Sequence, residues 1–229
     1  MSRIISCRTS VYGKPEDAFR LAPEAGITCV ELCGVDPDGF ADAKAEAARF
    51  GVDIGTIGTG VNLSDPDSIT AFEALMQKAA DSGITKLFSS VGGKPEDDGR
   101  DALIEKLRGV CAQAEQLGIL ICVETHPPFC KNGGDAVKTI SEVGSSALRL
   151  NFDTANVYFY NQNINGVEEL RKALEVTETL HLKDTQGGFH SPDFPVLGQG
   201  IVDFPSTFRL CDEVGVPGPY TLELEGPLT

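Results

Sequence analysis

Short apolar runs alternate with segments of helical pattern along the whole chain, and this alternation constrains the fold more than any other feature. Runs rich in Leu, Ile, Val and Phe are typical of parallel strands that are covered on both faces. Eight runs predict strands, and they read RIISC, TCVELC, VDIGTI, KLFSS, ILICVE, LRLNFD, TLHLKD and YTLELE. The segments between them predict helices at 15–25, 40–50, 68–82, 97–117, 135–143, 167–176 and 205–214.

This alternation predicts the fold class. Strand–helix units impose a parallel sheet with right-handed crossovers, and eight units favour closure into a (β/α)₈ TIM barrel, an α/β fold. A chain of 229 residues has the size of one such barrel, so we expect a single domain over 1–229. The alternative is a doubly wound nucleotide-binding sheet. It is disfavoured because Tyr12-Gly13-Lys14-Pro15, after the first strand, has one glycine rather than a GxGxxG fingerprint.

The end of the chain raises a separate expectation about partners. Thr229 comes directly after the eighth strand, where a barrel normally adds a last helix. Either the gene product is truncated, or a partner subunit covers the flank of strand eight, because bare apolar sheet surface favours association. The sequence therefore predicts a barrel without its final helix, and a homo-oligomer or a partner subunit.

Composition narrows the classes of partner. The 34 acidic and 19 basic residues give a net charge of -15, which repels nucleic acid and anionic membranes. No apolar run approaches the roughly 18 residues of a membrane span, and the N-terminus lacks the apolar core of a secretory signal. We therefore expect a cytoplasmic protein.

The seven cysteines form no CxxC pair and predict reduced, mostly buried thiols.

Four of the strand-like runs carry, at or near their ends, residues that bind hard divalent metals: Glu124, Asp153, His181 and Glu223. Because parallel strands emerge at one rim, these side chains are expected to converge. Carboxylates with one imidazole suit one divalent ion, Mn²⁺ first, with Mg²⁺, Co²⁺ or Zn²⁺ as alternatives. Any one acidic residue at a strand end could instead be a helix cap, as Asp153 could be. His181 lies between two leucines, where a buried imidazole needs a partner.

Several polar residues near these ends are candidates for substrate binding, each with a structural alternative. Lys183 shares the inward parity of His181, but it could form a rim salt bridge with Glu225. Glu31 ends strand two, where it could contact substrate, support another site residue or pair with Arg8.

The remaining candidates lie in loops. His126 could contact hydroxyl groups or fix the Pro127-Pro128 turn. The Gly- and Pro-rich segment 185–202 is long for a connection after a strand, so it predicts a lid over the barrel mouth. His190 within it could close on the substrate or be an exposed side chain. Asp184 should point away from the site and orient this loop.

Five motifs carry a resemblance to a known family. They are VETHP at 123–127, NFDTAN at 151–156, HLKD at 181–184, LGQGIVDFP at 197–205 and GPYTLELEG at 218–226. In order and spacing these motifs resemble those of the xylose isomerase-like barrels. Within that family, the chain is most similar to the sugar phosphate isomerase/epimerase group, which also contains inosose dehydratases, ketose 3-epimerases and hydroxypyruvate isomerases. The resemblance spans essentially the whole chain.

The resemblance implies roles for particular residues. It implies metal ligands at Glu124, Asp153, His181 and Glu223, of which Glu124 and Glu223 would also be the catalytic acid and base. For strand eight, Glu223 is favoured over Glu225, which lies on the same face nearer the rim. Many members have a histidine where this chain has Asn156, which can bind substrate but is a poor ligand. The related endonuclease IV barrels need several such histidines for their trinuclear zinc site. The resemblance therefore disfavours a DNA-repair function for this chain.

These observations predict a divalent-metal-dependent sugar isomerase or epimerase that acts on a small ketose or sugar-derived ketone through an enediolate. A metal that polarises a carbonyl favours loss of the neighbouring proton, and carboxylates can move that proton. One alternative is a lyase of the inosose dehydratase type. Another is a non-catalytic barrel or a subunit that depends on a partner.

Overall fold

A closed barrel of eight parallel strands forms the frame of the molecule, in a computed structural model that describes residues 3–225. Strands that follow each other in sequence are neighbours, and β1 closes the barrel by pairing with both β2 and β8. The predicted α/β barrel is therefore confirmed. The strands are β1 Ile5–Arg8, β2 Cys29–Leu32, β3 Asp53–Asn62, β4 Lys86–Gly92, β5 Leu120–Glu124, β6 Leu148–Asp153, β7 Thr177–Leu182 and β8 Tyr220–Leu222.

Helices surround this barrel, and each of the seven predicted helical segments contains one. Within residues 3–225 they are α1 Pro15–Leu21, α2 Phe40–Arg49, α3 Pro66–Asp81, α4 Pro95–Asp98, α5 Arg100–Leu117, α6 Gly133–Val143, α7 Asn156–Phe159, α8 Gly166–Ala173 and α9 Phe204–Val214. The expectation of a missing last helix concerns 226–229, outside the described residues. None of the described helices is both long enough and apolar enough to cross a membrane.

Local sequence explains where these helices begin and end. The Asp65 carboxylate accepts a hydrogen bond from the Asp67 amide at 3.0 Å and caps α3, with Pro66 in the first turn. Asp203 caps α9 in the same way through the Ser206 amide, also at 3.0 Å. α5 ends at Gly118, whose φ of 67° is the left-handed conformation that glycine adopts without strain.

The apolar core lies between the barrel and its helices, while the barrel interior is polar. Outward-facing strand residues such as Leu87, Ile121 and Leu150 are fully buried under the helices. Inside the barrel, Thr179 donates a hydrogen bond to the Asn151 side chain at 2.8 Å. Because the barrel interior is largely polar, most of the apolar core lies between the strands and the helix layer. The polar interior is continuous with the polar residues at the rim of the barrel.

The cysteines behave as the sequence predicted. All seven are free thiols, and six are buried. Burial raises the pKa of Cys122 and Cys130 to about 12, which keeps both protonated at neutral pH.

Several strand ends differ from the predicted bounds, and three of them concern the rim. β3 was expected to end at Ile57, but it continues to Asn62 because this glycine-containing stretch pairs with β4 along its whole length. β7 and β8 end at Leu182 and Leu222, earlier than predicted. Lys183 and Glu223 therefore stand just beyond the strands at the rim.

Candidate active site

Four side chains from adjacent strands meet at the rim. Glu124 and Asp153 are the last residues of β5 and β6, His181 lies in β7, and Glu223 follows β8 directly. One ligand atom from each lies within 4.8 Å of all the others, and all four residues are buried. The register of the sheet contributes, because Asp153 is paired with His181. The structure thus brings together the four residues that the sequence singled out, while their role as ligands stays a prediction.

The chemistry of this cluster fits a hard divalent cation. It offers three carboxylates and one imidazole, the donor set of Mn²⁺ or Mg²⁺ rather than of a thiolate-binding metal. Asp153 Oδ2 is buried and accepts no hydrogen bond, although the Lys183 ammonium lies 3.2 Å from it. A buried carboxylate oxygen that lacks a hydrogen bond is costly. A cation held by the cluster would supply the missing interaction.

Two basic side chains balance part of this negative charge. Lys183 Nζ lies 3.2 Å from Asp153 Oδ2, 3.0 Å from Glu223 Oε2 and 3.3 Å from Glu225 Oε2. Arg8, from the end of β1, forms an ion pair with Glu31 at 3.1 Å and another with Glu223. Burial lowers the pKa of Lys183, but the three carboxylates outweigh burial and raise the pKa above its ordinary value. Both predicted ion pairs, Arg8 with Glu31 and Lys183 with Glu225, are therefore present.

His181 is held between two carboxylates. Its Nδ1 lies 3.2 Å from Glu223 Oε2, and its Nε2 lies 3.0 Å from Glu31 Oε2. Burial alone would lower the pKa of His181, yet the two carboxylates raise it well above the usual value. Its ring packs on Phe88 with centroids 4.1 Å apart. Glu31 thus fixes the ring and leaves Nδ1 as the nitrogen that faces the other candidate ligands.

Backbone geometry makes room for Glu31. Thr56 donates a hydrogen bond to Glu31 Oε2 at 3.1 Å. A Cβ at Gly58 would come within 2.8 Å of Cys33 Sγ and 3.1 Å of Glu31 Oε1, so only glycine fits there without displacement. Glu31 is 1% exposed and stands behind the cluster, outside the set of residues that line the pocket. This position favours support of His181 over direct contact with a substrate.

Glu124 and Asp153 are connected through Asn156. The Asn156 side-chain amide donates to Glu124 Oε1 at 2.9 Å, and its backbone amide donates to Asp153 Oδ1 at 2.8 Å. Ser90, at the end of β4, donates to the other Glu124 oxygen. The Ala155 amide also donates to Asp153 Oδ1 at 2.8 Å, so Asp153 does cap the short turn that follows β6. These bonds fix the orientation of both carboxylates.

A pocket of about 340 Å³ opens above the cluster. Aromatic rings form much of its wall, and Glu124, Glu223 and Lys183 lie at its base. The lining residues are Arg8, Phe88, Ser90, Glu124, His126, Asn156, Phe159, Tyr160, Lys183, Pro192, Phe194, Glu223 and Glu225. Most of these residues are polar or charged, and the aromatic rings supply the apolar part of the wall, so the pocket suits a small polar molecule.

The two loop histidines have different positions. His126 lines the pocket, with its ring against Tyr160 at 4.8 Å between centroids and its Nδ1 beside the carbonyl oxygen of Pro127. It is therefore placed for both of its predicted roles. His190 is exposed, stacks on Phe189 at 3.9 Å and lies outside the pocket lining. Its ring lies 5.3 Å from that of Phe159, and its amide donates to the Phe159 carbonyl oxygen at 2.9 Å, so His190 lies beside the pocket wall without lining the pocket.

The segment 185–202 folds over the mouth and brings Pro192 and Phe194 to the pocket wall. Asp184 anchors it, as the sequence indicated, because its carboxylate accepts backbone hydrogen bonds from four residues of this segment. The donors and distances are Thr185 at 2.9 Å, Gly198 at 2.8 Å, Gly200 at 2.9 Å and Val202 at 3.2 Å. The predicted lid is thus a loop held from below by one buried carboxylate.

Sequence reasoning missed several residues of the pocket. It took Arg8 only as a partner for Glu31, and it did not single out Ser90, although both lie at strand ends where inward-facing polar residues reach the rim. Phe159, Tyr160 and Phe194 come from loops and a short helix. They carry no periodic signal that could have identified them.

Comparison with known proteins gives an independent view of the chain. Residues 19–228 match the family model described as xylose isomerase-like TIM barrel. A ketose 3-epimerase from Arthrobacter globiformis is 26% identical, with 87% of this chain and 74% of that protein covered.

Solved structures share the fold. The D-psicose 3-epimerase of Clostridium cellulolyticum H10, solved with D-tagatose, superposes with a TM-score of 0.78 at 16% identity, covering 96% of this chain and 84% of that one. A xylose isomerase-like TIM barrel protein of Mycobacterium smegmatis, solved in complex with magnesium, gives a TM-score of 0.75 at 21% identity, covering 93% and 82%. At these identities the likeness shows the fold alone.

Proposed function

The chain belongs to the xylose isomerase-like TIM barrel family, and we propose that it is a divalent-metal-dependent isomerase or epimerase of a small ketose or sugar-derived ketone. One observation carries the proposal: the four buried candidate ligands form one cluster, and two of them, Glu124 and Glu223, also line a pocket. The likeness to a ketose 3-epimerase supports the same reaction class.

Glu124, Asp153, His181 and Glu223 would hold the metal. Bound there, a divalent ion would polarise the carbonyl and adjacent hydroxyl oxygens of the substrate and so acidify the neighbouring C–H bond. We propose Mn²⁺ as the native ion, since the oxygen-rich set with one imidazole suits it, with Mg²⁺, Co²⁺ and Zn²⁺ as alternatives.

Glu223 and Glu124 would move the proton. Glu223 directly follows β8 and Glu124 ends β5, three strands away on the closed barrel, and both line the pocket. Burial raises the pKa of Glu223, but its ion pairs with His181 and Lys183 outweigh burial and hold the pKa well below the usual range. Glu223 is therefore ionised at neutral pH, the protonation state that both a metal ligand and a proton acceptor require.

The direction of proton return would decide the product. One glutamate removes the proton from the carbon beside the carbonyl, which leaves an enediolate. Return of a proton by the other glutamate to the opposite face of that carbon gives the epimer. Return to the former carbonyl carbon, with the proton of the adjacent hydroxyl moving to the former carbonyl oxygen, gives the isomer. Ser90 and Asn156 orient Glu124 for its part in this transfer.

The rest of the pocket would bind and orient the sugar. Asn156, His126 and Tyr160 offer polar atoms to hydroxyl groups, while Phe159 and Phe194 offer apolar surface to C–H groups. Lys183 and Glu225 lie on the β7–β8 side of the pocket and would contact substrate oxygens. Pro192 and Phe194, carried by the lid, would exclude water from the enediolate.

Proton NMR in D₂O tests the proposal directly. The protein with Mn²⁺ is incubated with a panel of ketoses and an inosose, and the same reactions are run with EDTA. We expect metal-dependent deuterium incorporation beside the carbonyl, with products that are epimers or isomers. Loss of water from the substrate would instead identify the lyase alternative.

Variants make this test specific. Glu124→Gln keeps the shape of the side chain but removes its ability to accept a proton, so exchange should disappear while the protein stays folded. Glu105→Gln, on the outer helix α5 and 69% exposed, is the matched control and should exchange at the wild-type rate. Equal exchange by both variants would remove Glu124 from the reaction. No exchange with any substrate would favour a non-catalytic or partner-dependent barrel.

A further inference from the structure

Lys183 contacts two of the four candidate metal ligands. Its ammonium nitrogen lies 3.2 Å from Asp153 Oδ2 and 3.0 Å from Glu223 Oε2. The ligand atoms of these two residues lie within 4.8 Å of each other and of those of Glu124 and His181. Lys183 is 4% exposed, so this contact is a buried one rather than a solvated pairing at the surface.

The charges explain why a cation is needed there. Four carboxylates are buried together, at Glu31, Glu124, Asp153 and Glu223. Arg8 pairs with Glu31 and Glu223 but makes no ion pair with Asp153, which relies on Lys183. Buried carboxylates without a counter-ion are strongly destabilising.

We propose that Lys183 is an internal substitute for the metal, which neutralises Asp153 and Glu223 in the metal-free protein and is displaced when a divalent cation binds. This inference rests on the proposed metal site. An ammonium and a divalent cation cannot share the same carboxylate oxygens without strong repulsion. The free energy of metal binding therefore includes the cost of displacing Lys183. As a result, the protein binds metal more weakly than the four ligands would without Lys183.

The structure also provides a place for the displaced ammonium. Glu225 Oε2 already lies 3.3 Å from Lys183 Nζ, and Glu225 is half-exposed at the rim. The ring of Phe194 lies 5.0 Å from the same nitrogen, in the position of a cation–π contact. A rotation of the long lysine chain towards Glu225 would retain both contacts. The ammonium would then face the substrate pocket, so metal loading and substrate binding would be coupled through Lys183.

Calorimetric titration with Mn²⁺ tests this proposal. The proteins compared are the wild type, Lys183→Met, which keeps the length of the side chain without its charge, and Lys78→Met. Lys78 is a half-exposed residue of α3 that pairs with Asp38, so its variant changes the net charge equally but outside the site. We expect Lys183→Met to bind Mn²⁺ at least tenfold more tightly than the wild type, and Lys78→Met to bind it with unchanged affinity.

Thermal unfolding provides a second readout that does not depend on activity. Without metal, Lys183→Met should unfold at a lower temperature than the wild type, because Asp153 has lost its counter-ion. Saturating Mn²⁺ should raise its unfolding temperature more than that of the wild type. Lys183→Gln, which also removes the charge but keeps a polar, hydrogen-bonding side chain, should shift the affinity and the unfolding temperature in the same directions. It keeps the test decisive if the methionine variant does not fold.

A double-mutant cycle tests the proposed destination. Glu225→Gln should weaken Mn²⁺ binding several-fold in the wild type, and this effect should shrink in the Lys183→Met background. An equal effect in both backgrounds would mean that Glu225 acts on the metal directly and not by receiving Lys183.

Different results would overturn the role of Lys183 and the metal site itself. Unchanged or weaker Mn²⁺ binding by both Lys183 variants would overturn the role of Lys183 and leave the metal site intact. Absence of binding by every variant and by the wild type would overturn the metal-dependent function together with it.

Discussion

Asp184→Asn tests whether a single buried carboxylate holds the lid over the pocket. Asp184 is 1% exposed and accepts four backbone hydrogen bonds: Oδ1 from Thr185 and Val202, and Oδ2 from Gly198 and Gly200. Asparagine can replace one of these oxygens, but its NH₂ group would face two amide donors in place of the other. Two charge-assisted bonds are then lost.

The magnitude follows from the number of bonds. Hydrogen bonds to a charged group contribute about 1.5–3 kcal/mol each, so losing two makes opening of the loop easier by about 3–6 kcal/mol at most. Other bonds remain, including the Ile201 amide to the Thr185 carbonyl at 2.8 Å. We therefore expect an effect near the lower end of that range. A change of about 3 kcal/mol corresponds to roughly a hundredfold change in the opening equilibrium.

Amide hydrogen exchange measures this effect at the residues concerned. The amides of Gly198, Gly200 and Val202 should exchange roughly a hundred times faster in Asp184→Asn, while amides in β5 and β6 keep their protection. Asp193→Asn is the matched control, because Asp193 is an exposed residue of the same loop whose carboxylate makes no hydrogen bond among the described residues. Protection within threefold of the wild type in both variants would refute the idea that Asp184 anchors the lid.

Three further predictions address the site and the core. Glu31→Gln should weaken Mn²⁺ binding by about 10–100-fold, because His181 loses the carboxylate that fixes its ring. Chelator competition measures this affinity, and an unchanged value would make Glu31 only a partner of Arg8. Phe194→Ala should raise the Michaelis constant with metal affinity unchanged, and an unaltered constant would remove Phe194 from the substrate wall. Gly133→Ala should lower the melting temperature by several degrees, because its Cβ would lie 1.9 Å from the Glu169 carbonyl oxygen and overpacking costs about 1–3 kcal/mol. Gly109→Ala, with no atom within 4 Å of the added Cβ, should be neutral or stabilising, and equal melting of the two variants would contradict this packing argument.

The barrel fold and the residues at its rim could be predicted from the sequence because both depend on local sequence patterns. Alternation of apolar runs with helical segments predicts parallel strands and crossovers, and the side-chain parity of a strand depends only on its own residues. Glu124 and Asp153 could be placed at strand ends in this way. The resemblance to a known family then gave them, with His181 and Glu223, a common role.

The tertiary structure decided what these residues contact, because the contacts join residues far apart in sequence. Lys183 was expected at the rim beside Glu225, but closure of β7 against β8 also places it between Asp153 and Glu223. His190 was a lid candidate, but the path of its loop turns it towards Phe189 and presents Phe194 to the pocket instead. The sequence alone thus determined the barrel and the strand-end positions of the candidate ligands. Barrel closure, strand register and loop path determined which charges neutralise one another and which side chains reach the substrate, since these depend on distances between distant parts of the chain.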